Sequence, residues 1–320
     1  MSKIWVFAEV SEDGQPTSTT LEMLTKARSL GGTVEAVALG PGATKGAEEL
    51  GRHGATAVYA SEEKVFAEFL AQPAAHALAE LVSREQPNLI LFSTDYDSRD
   101  IAARLGARTG STVMSNASDV LAVDRAQTQI FGGQKIVDVA LSGPDPKIVL
   151  VRAKSFPAEP AEGTAEVRPV DVQIPESELK ARRTERHQEE AEGPKLEDAK
   201  VVIAGGRGLG KPENFDLLEQ IASEIPGSAV GATRAVVDAG WVGYNKQIGQ
   251  TGKTVKPQVY IACGISGASQ HQVGMKESRN IIAINKDAEA PILSIADLGV
   301  VGDVLKVLPQ VVEEIRKRKG

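Results

Sequence analysis

The chain has 320 residues and a formal net charge of −7, and 42% of its residues are hydrophobic. One hydrophobic core seldom grows this large, so we expect two domains. The negative charge argues against nucleic-acid binding and against docking on an anionic membrane, because both need a basic surface. No apolar run is long enough to span a bilayer, the N-terminus shows no secretory pattern, and the lone cysteine, Cys263, fits a reducing compartment. These features predict a cytoplasmic protein.

The first part of the chain alternates strand-like and helix-like patterns. The predicted strands are Lys3–Val10, Thr33–Gly40, Ala55–Ala60 and Asn88–Ser93. The predicted helices are Ser18–Gly31, a short one ending at Glu49, Ala74–Glu85 and Ser98–Ala107. Short apolar strands between helices indicate a parallel sheet that is covered on both faces. From Asp119 to Val151 the pattern changes, and we expect consecutive antiparallel strands separated by Gly and Pro turns.

A polar stretch rich in proline and charge, residues 157–194, separates the two domains. It includes the charged run Glu176–Gly193. We interpret that run as a solvated helix or linker rather than a binding site, because a charge run is usually a solvated face. The domain boundary is placed near Glu192, which gives an N-terminal α/β domain of residues 1–192 and a C-terminal domain of residues 193–320.

The second domain again alternates strands and helices. Strands are predicted at Lys200–Ile203, the start of Ser228–Gly240, Pro257–Gly264, Asn280–Asn285 and Ala290–Asp297. Helices are predicted at Glu213–Ile225, the rest of Ser228–Gly240, part of Ser266–Ser278 and Asp303–Arg318. The predicted fold class is α/β with two doubly wound domains. The C-terminal domain is expected to be Rossmann-like, and the N-terminal one a parallel sheet with an antiparallel extension.

The stretch Gln247–Thr254 ends in Gly-Lys-Thr and invites comparison with the phosphate loop of an ATPase. That motif needs a glycine five positions before its second glycine, and a helix that opens at the lysine. Gln247 stands at the first glycine position, and Lys253 is followed by Pro257 and a strand. We therefore set the phosphate-loop interpretation aside. A polar hairpin without a ligand is the plain alternative.

Glycine-rich loops follow several strands of the second domain. In an open parallel sheet, ligands lie outside the carboxyl ends of the strands. The loop after the first strand offers backbone N–H groups and Arg207, which suit a phosphate oxygen. Thr233 and Arg234 stand at the start of a helix, where an anion is favoured. In the loop after the strand Pro257–Gly264, Ser266 is predicted to be a helix N-cap.

Later strands also end in polar residues, at Asn285, Lys286 and Asp303. Plain alternatives exist for single residues. Arg207 could be a surface salt-bridge partner, Asp303 only a helix cap, and His271 a satisfied helix histidine. Their shared place at the carboxyl edge of one sheet favours a dinucleotide-sized ligand with a diphosphate.

These segments, in this order, resemble the α subunit of electron-transfer flavoprotein. The resemblance is close over Val201–Val311, through AGGRGLG, ENFDLLE, GATRAVVDAGWV, QIGQTGKTVKPQVYIACGISGASQH, AINKDAEAPI and VGDV. It is looser in the N-terminal domain, through the strand–helix order and FSTDYDSRDIAARLGARTG. The resemblance implies one FAD held mainly by the C-terminal domain and a heterodimer with a β subunit that holds AMP. It also implies that the N-terminal domain serves as scaffold and β-subunit contact.

The resemblance further implies roles for single residues. Arg207, Thr233 (where the family also has Ser) and the Ser266 loop would bind the diphosphate of FAD. Thr251 would lie near flavin N5 in a loop that lines the ring, with Arg234 also near N5. His271 would donate to the flavin carbonyl O2, whether neutral or protonated. The expected FAD-binding set is Arg207, Thr233, Arg234, Gln247, Ile248, Gly249, Gln250, Thr251, Ser266, Gly267, Ala268, Ser269, Gln270, His271, Asn285, Lys286 and Asp303, with the last three at the adenosine end.

The function that the resemblance implies is electron transfer rather than substrate conversion. The chain would accept electrons from acyl-CoA and other dehydrogenases of fatty acid β-oxidation, and pass them through an anionic flavin semiquinone to a quinone-linked oxidoreductase. No catalytic residue and no metal site are expected. Two alternatives stay open: a substrate-converting flavin or NAD oxidoreductase, and a nucleotide-binding regulatory module. Whether the carrier is simple or bifurcating is not decided by the sequence.

Overall fold

The structure is a computed structural model that describes residues 2–131, 133–185 and 194–319. The chain divides into two compact units, Met1–His187 and Gln188–Gly320. The boundary predicted near Glu192 lies outside the described residues and stays a prediction. Among the helices of the described residues, none has the length and apolar character that crossing a membrane requires.

The described part of the first unit contains nine strands and five α-helices. The strands are β1 (Lys3–Phe7), β2 (Thr33–Leu39), β3 (Ala57–Ser61), β4 (Leu89–Ser93), β5 (Val113–Ala122), β6 (Arg125–Ile130), β7 (Lys135–Ala140), β8 (Lys147–Val151) and β9 (Glu166–Pro169). The helices are α1 (Ser18–Ser29), α2 (Ala47–Arg52), α3 (Val65–Glu68), α4 (Gln72–Glu85) and α5 (Tyr96–Thr109).

The nine strands form one sheet in the order β7-β6-β5-β8-β4-β1-β2-β3-β9. Side chains of β1 alternate between its two faces, as the pleat of a strand requires. Ile4 and Val6 pack in one hydrophobic cluster with Met23 of α1, and Trp5 packs in the other cluster with Leu78 of α4. The parallel part of the sheet is thus covered on both faces, as predicted.

The antiparallel extension is confirmed, but one of its predicted strands runs the other way. β5, β6 and β7 pair antiparallel. β8 instead lies between β4 and β5 and pairs parallel with both. All five of its residues are buried, as in a central parallel strand. Its local pattern could not show this, because the position depends on where the chain returns after the β6–β7 hairpin.

The last strand of the sheet, β9, was not predicted. It lies at the edge opposite β7 and pairs parallel with β3. Arg168 on this strand donates to the carboxylate of Glu35 at 3.0 Å, and Trp5 Nε1 donates to the same carboxylate at 2.8 Å. Glu35 is only 3% exposed, and a buried carboxylate needs such partners. No apolar pattern marks β9 in the sequence, because hydrogen bonds and this ion pair hold it in place.

The first half of the charged run packs on the first unit. Glu178 pairs with Arg108 at 2.6 Å, and Arg183 pairs with Asp97 at 2.8 Å. Residues 176–185 are therefore bound to this unit rather than forming a free linker, but none of them is buried, so they are solvated as predicted. The remainder of the run lies outside the described residues.

Two carboxyl groups share a partly buried site beyond the ends of β1 and β4. Glu9 and Asp95 both lie within hydrogen-bonding distance of the Ser93 hydroxyl. A hydroxyl carries one proton, so one of these two contacts needs a proton from a carboxyl group. Burial and the neighbouring Asp95 raise the pKa of Glu9 to about 8. Burial acts against ionisation of Asp95 too, but hydrogen bonds with Glu9, Ser93 and Ser98 hold its pKa below the usual value. At neutral pH the proton therefore resides on Glu9.

We expect Glu9→Gln to reduce the loss of stability that occurs as the pH rises past neutrality. The pKa of Glu9 is raised on folding. The stability that Glu9 contributes is therefore fully present below pH 4.5, the pKa of this group in the unfolded chain. That contribution is lost as the pH rises through about 8. The lowered pKa of Asp95 acts in the opposite sense, but only as the pH falls below its ordinary 3.8.

Chemical denaturation at about pH 6 and about pH 9 measures this difference, which is at most about 1.4 kcal/mol per pH unit for one proton. The parent should lose more stability than Glu9→Gln between the two conditions. An equal loss in both proteins would show that Glu9 does not carry the shared proton.

The described part of the second unit contains six strands and four α-helices. The strands are β10 (Val201–Gly205), β11 (Ser228–Thr233), β12 (Gln247–Ile248), β13 (Val259–Cys263), β14 (Ile281–Asn285) and β15 (Leu298–Val301). The helices are α6 (Asp216–Glu224), α7 (Arg234–Val237), α8 (Ser269–Gln272) and α9 (Val304–Lys319). Short 3₁₀ turns lie at Arg207–Leu209, Pro212–Phe215, Tyr244–Lys246 and Pro291–Ile295.

The second sheet is wholly parallel, in the order β12-β11-β10-β13-β14-β15. Counted from its first strand, this is the order 3-2-1-4-5-6 of dinucleotide-binding sheets. Val202 and Ile203 of β10 are fully buried in two different hydrophobic clusters, one on each face. The predicted Rossmann-like architecture is confirmed.

The predicted strand Ala290–Asp297 is wrong. Pro291–Ile295 forms a 3₁₀ turn, and the last strand, β15, follows it. The apolar run packs inward through Ile292, which is fully buried. A short apolar run has no period that separates a buried turn from a buried strand. β15 itself is an exposed edge strand, so its own pattern is weak.

Candidate functional site

The carboxyl ends of all strands of the second sheet lie at one edge, because every pairing is parallel. The order of connection reverses between β10 and β13, which are neighbours in the sheet. A crevice opens at such a reversal, and nucleotides bind there in doubly wound sheets. All the residues predicted for the site lie at or just after these carboxyl ends, so the structure brings them to one edge.

The loops that follow β10 and β13 touch each other at the reversal. Gly208 N donates to Gly264 O at 2.9 Å. The N–H groups of Gly206, Leu209 and Gly210 also donate to backbone carbonyls. The expectation that this loop offers its N–H groups to a ligand is therefore wrong at four positions, because these groups hold the turn and join the two loops.

The loop after β10 does offer a cation. Arg207 is exposed, and in the part of the chain that the structure describes its guanidinium has no carboxylate partner. The alternative of a surface salt bridge is therefore not seen among these residues. A guanidinium fork matches two phosphate oxygens at once.

The loop after β13 supplies free backbone donors. Across residues 2–131, 133–185 and 194–319, no group accepts from the N–H groups of Ser266–Gln270. Successive N–H groups of this kind form an anion-binding concavity. The predicted N-cap at Ser266 is wrong, since α8 begins at Ser269 with Ala268 as its N-cap. Ser266 stays outside the helix because its carbonyl accepts from Ile292 N at 3.0 Å.

The loop after β12 reaches across the sheet to α8. Gln250 N donates to Gln270 O at 2.8 Å. Gly249 has a φ of +135°, and a Cβ there would lie 2.7 Å from Gln270 O, so only glycine allows this approach. β12 is separated from β13 by two strands, yet its loop lies on the segment that follows β13. The loop therefore borders the crevice at the reversal.

Lys253 is not a phosphate-binding lysine in this arrangement. Its ammonium donates to the carboxylate of Glu197, which lies just before β10. Lys253 N also donates to Gln247 O at 2.8 Å, which closes a tight turn. No helix opens at Lys253, since the next element is β13. This agrees with setting the ATPase interpretation aside.

Thr251, the residue expected near flavin N5, is exposed, but two side chains hold its polar groups. Gln247 Nε2 donates to Thr251 Oγ1 at 3.0 Å, and the Tyr244 hydroxyl donates to Thr251 O. Both partner residues precede Thr251 in the sequence. The hydroxyl is thus held in place before any ligand binds.

His271 is buried and has both ring nitrogens engaged. Nδ1 lies 3.1 Å from Ile248 O, and Nε2 lies 2.8 Å from the Tyr260 hydroxyl. A carbonyl only accepts, so Nδ1 carries the proton and Nε2 of the neutral ring accepts from Tyr260. Burial lowers the pKa of His271 to about 4, so the ring is neutral at pH 7.

A neutral His271 therefore has no N–H group for a ligand. This corrects the expectation that it donates in either protonation state, because only the imidazolium has a second N–H. The alternative of a satisfied helix histidine describes the observed contacts. Donation to the flavin carbonyl O2 stays a prediction for the protonated form.

Thr233 is the last residue of β11 and Arg234 follows it, on the other side of β10 from the reversal. Thr233 precedes α7, and its side chain makes no capping hydrogen bond. Arg234 pairs with Asp238 at 3.1 Å, and both side chains are largely exposed. A pair so open to solvent holds a side chain weakly, so Arg234 is free to turn toward a ligand.

The three residues expected at the adenosine end lie at or just beyond the ends of β14 and β15. Asn285 Nδ2 donates to Ile265 O at 2.8 Å, which ties β14 to the loop after β13. Lys286 is exposed. Asp303 accepts from Leu305 N at 3.0 Å through one oxygen, so it caps α9. Within the described residues no group donates to its second carboxylate oxygen, which leaves that oxygen open to a ribose hydroxyl.

Three residues that organise the site were missed from the sequence: Glu197, Tyr244 and Tyr260. Glu197 and Tyr244 lie outside the quoted segments that resemble the family, and Tyr260 lies within one of them. Each acts through a side-chain contact with a predicted residue or with its loop. Tyr260 did carry a signal, because a tyrosine in a buried strand needs a partner for its hydroxyl. The partner is His271, eleven residues along the chain.

The chain matches known protein families in both of its units. Residues 4–175 match the electron transfer flavoprotein domain, and residues 195–276 match the electron transfer flavoprotein FAD-binding domain. The chain is 41% identical over 322 residues to electron transfer flavoprotein subunit alpha of Mycobacterium leprae (strain TN), covering 100% of both chains. It is 42% identical over 321 residues to the subunit alpha of Mycobacterium tuberculosis (strain CDC 1551 / Oshkosh), again covering 100% of both.

A more distant relative gives the same result. The chain is 37% identical over 326 residues to electron transfer flavoprotein subunit alpha of Clostridium acetobutylicum, covering 98% of this chain and 96% of the relative. The FAD-binding domain match covers the touching loops, the loop after β12 and α8. The chain therefore belongs to the electron transfer flavoprotein alpha-subunit family, and its second unit is the FAD-binding domain of that family.

Proposed function

We propose that the carboxyl edge of the second sheet holds FAD with its diphosphate at the strand reversal. Arg207, Thr233 and the free N–H groups of Ser266–Gln270 bind the diphosphate. The flavin ring lies against the loop Ile248–Thr251. Asn285, Lys286 and Asp303 hold the adenosine end. A cation beside consecutive backbone donors supports this placement, since both favour a diphosphate.

We further propose that the chain works as an electron carrier in a heterodimer with a β subunit that holds AMP. It accepts electrons from acyl-CoA and other dehydrogenases and passes them to a quinone-linked oxidoreductase in the cytoplasm. The bound flavin supplies the chemistry, because it accepts and releases single electrons. The residues of this chain bind the flavin, orient it and set its electrostatic surroundings. This fits a site that offers backbone N–H groups and the cations Arg207, Arg234 and Lys286.

One observation carries the proposal: Arg207, without a carboxylate partner in the described chain, lies in the loop after β10, and this loop contacts the loop after β13 that carries the free N–H groups of Ser266–Gln270. Gly208 and Gly264 bring their two loops into contact. In a sheet of this strand order, that is where a dinucleotide diphosphate lies.

The proposal is tested on the chain purified with its β subunit. The complex should contain bound flavin that an acyl-CoA dehydrogenase reduces in two separate one-electron steps, and that a quinone-linked acceptor reoxidises. Turnover of a small substrate without a protein acceptor would favour a substrate-converting oxidoreductase. Binding of AMP or ATP with no flavin would favour a regulatory module.

We expect Arg234→Ala to lower the reduction potential of the bound flavin. A permanently charged guanidinium near the ring stabilises the negative charge that reduction adds. The expected decrease is on the order of 60 mV, which is a tenfold change in a one-electron equilibrium. Potentiometric titration measures it, with Arg234→Lys as the control that keeps the charge. An unchanged potential in Arg234→Ala would place this residue away from the ring.

A further inference from the structure

The loop after β12 is organised around one buried amide. Gln247 is 2% exposed, and its backbone carbonyl accepts from Lys253 N at 2.8 Å. Gly252 packs directly on it, since a Cβ on Gly252 would lie 2.4 Å from Gln247 O and 2.9 Å from Gln247 Cγ. The turn therefore wraps closely around the Gln247 side chain.

The burial of a polar side chain at position 247 requires a physical explanation. Burying an amide without hydrogen bonds costs free energy, and the neighbouring buried residues Ile248 and Val255 are apolar. Over the described ranges, the side-chain hydrogen bond that the structure shows for Gln247 is the one from Nε2 to Thr251 Oγ1, at 3.0 Å. An apolar side chain would fill the same space, so the bond to Thr251 explains the polar residue.

The direction of this hydrogen bond determines what Thr251 presents to a ligand. An amide nitrogen only donates, so the Thr251 oxygen accepts, and the hydroxyl hydrogen points elsewhere. Within the residues that the structure describes, no group accepts that hydrogen. The Tyr244 hydroxyl holds Thr251 O, which fixes the backbone that carries the side chain. The side chain of Thr251 is therefore left with one donor, its hydroxyl hydrogen, that meets no acceptor among the described residues at the carboxyl edge of the sheet.

We infer that Gln247 is a positioning residue whose amide holds the Thr251 hydroxyl as a hydrogen-bond donor to an acceptor atom of the flavin ring. The inference rests on the proposed function, because it requires the flavin at this loop. Gln247 acts through Thr251 and does not itself touch the ring, which refines its expected place among the FAD-binding residues.

A double-mutant cycle on the heterodimer tests the coupling between the two residues. Gln247→Met keeps the length of the side chain but removes the amide, and Thr251→Val removes the hydroxyl. Each should raise the Kd for FAD about three- to tenfold, the usual effect of one hydrogen bond. In the Thr251→Val background, Gln247→Met should have no further effect. Gln220→Met, on the exposed face of α6, is the matched control and should leave the Kd unchanged.

Gln247→Glu separates donor orientation from simple tethering. Burial raises the pKa of the introduced carboxyl group, so FAD binding is measured at a pH high enough to ionise it. The carboxylate then only accepts, so the Thr251 hydroxyl would donate to it and offer the flavin only lone pairs. FAD binding should then be weaker than in Gln247→Met, and this difference should vanish in the Thr251→Val background, which controls for the added charge. If Gln247 only tethers Thr251, and it does not matter which of the two groups donates, Gln247→Glu should keep the tether. Its affinity for FAD should then be near that of the parent. Chemical denaturation of the FAD-free complexes checks that each variant is folded.

The outcomes distinguish the inference from the proposed function. If the parent complex binds no FAD, the proposed function fails. If the parent binds FAD but Gln247→Met weakens binding equally with and without the Thr251 hydroxyl, only the inference is overturned. Parent-like affinity in Gln247→Glu would overturn it as well.

Discussion

Arg207→Ala should weaken FAD binding about ten- to a hundredfold. A hydrogen bond to a charged group contributes about 1.5–3 kcal/mol, and a guanidinium can form two with a phosphate. Arg207 is exposed and unpaired among the described residues, so its removal leaves no buried charge behind. The loss should therefore appear in the Kd for FAD rather than in the free energy of unfolding of the FAD-free complex. Fluorescence titration of that complex with FAD measures the Kd.

Two further variants define what the arginine contributes. Arg279→Ala removes the same charge from an exposed residue just before β14, at the opposite edge of the sheet, and should leave the Kd unchanged. Arg207→Lys should fall between the parent and Arg207→Ala, because an ammonium keeps the charge but loses the fork. Equal effects of Arg207→Ala and Arg279→Ala would mean that only net charge matters, and would contradict a diphosphate contact at Arg207.

Gly208→Ala should lower both FAD affinity and stability. A Cβ on Gly208 would lie 2.6 Å from Gly264 Cα and 2.7 Å from Gly264 O, and backbone atoms cannot turn aside. The two loops at the reversal would have to separate, which moves Arg207 away from the free N–H groups of Ser266–Gln270. We expect a loss of about 1–3 kcal/mol in the free energy of unfolding and about tenfold or more in FAD affinity.

Gly210→Ala is the matched control in the same loop. Gly210 has a φ of +82°, but no atom lies within 4 Å of the position its Cβ would take. Its replacement should cost about 1–2 kcal/mol of stability through the left-handed backbone, while the loop contact is kept. FAD affinity should therefore separate the two variants, even where their denaturation curves are similar. An equal loss of affinity in both would show that contact between the loops does not organise the diphosphate site.

Much of the fold could be predicted because most elements have a local signature. The alternation of buried strands and amphipathic helices predicted both sheets, and it is confirmed in the element order of each unit. The errors concern elements whose place depends on distant contacts. β8 is central because the chain returns between β4 and β5, β9 is held by Arg168 and Glu35, and β15 is an exposed edge. None of these three placements can be predicted from the local periodicity of hydrophobic residues in the sequence.

In the candidate site, too, the features that depend on local sequence could be predicted, and those that depend on distant contacts could not. The rule that ligands lie at the carboxyl ends of parallel strands placed the expected residues on one edge, because it depends only on where strands end. Hydrogen-bond assignments could not be predicted, since they depend on the partner that each group meets. The N–H groups of Gly206 and Gly208 join two loops, and both nitrogens of His271 are engaged by Ile248 and Tyr260. Burial of the Glu9–Asp95 pair is likewise visible only in three dimensions.

The central claim is that one FAD lies at the carboxyl edge of the second sheet, with its diphosphate at Arg207. Identifying and counting the nucleotides released from the denatured heterodimer tests it most directly. We predict FAD in the parent, accompanied by AMP in a simple carrier or by a second FAD in a bifurcating one. We also predict that Arg207→Ala, after dilution, loses one FAD and retains the other nucleotide. Release of no FAD from the parent, or an unchanged nucleotide content in Arg207→Ala under the same dilution, would contradict the claim.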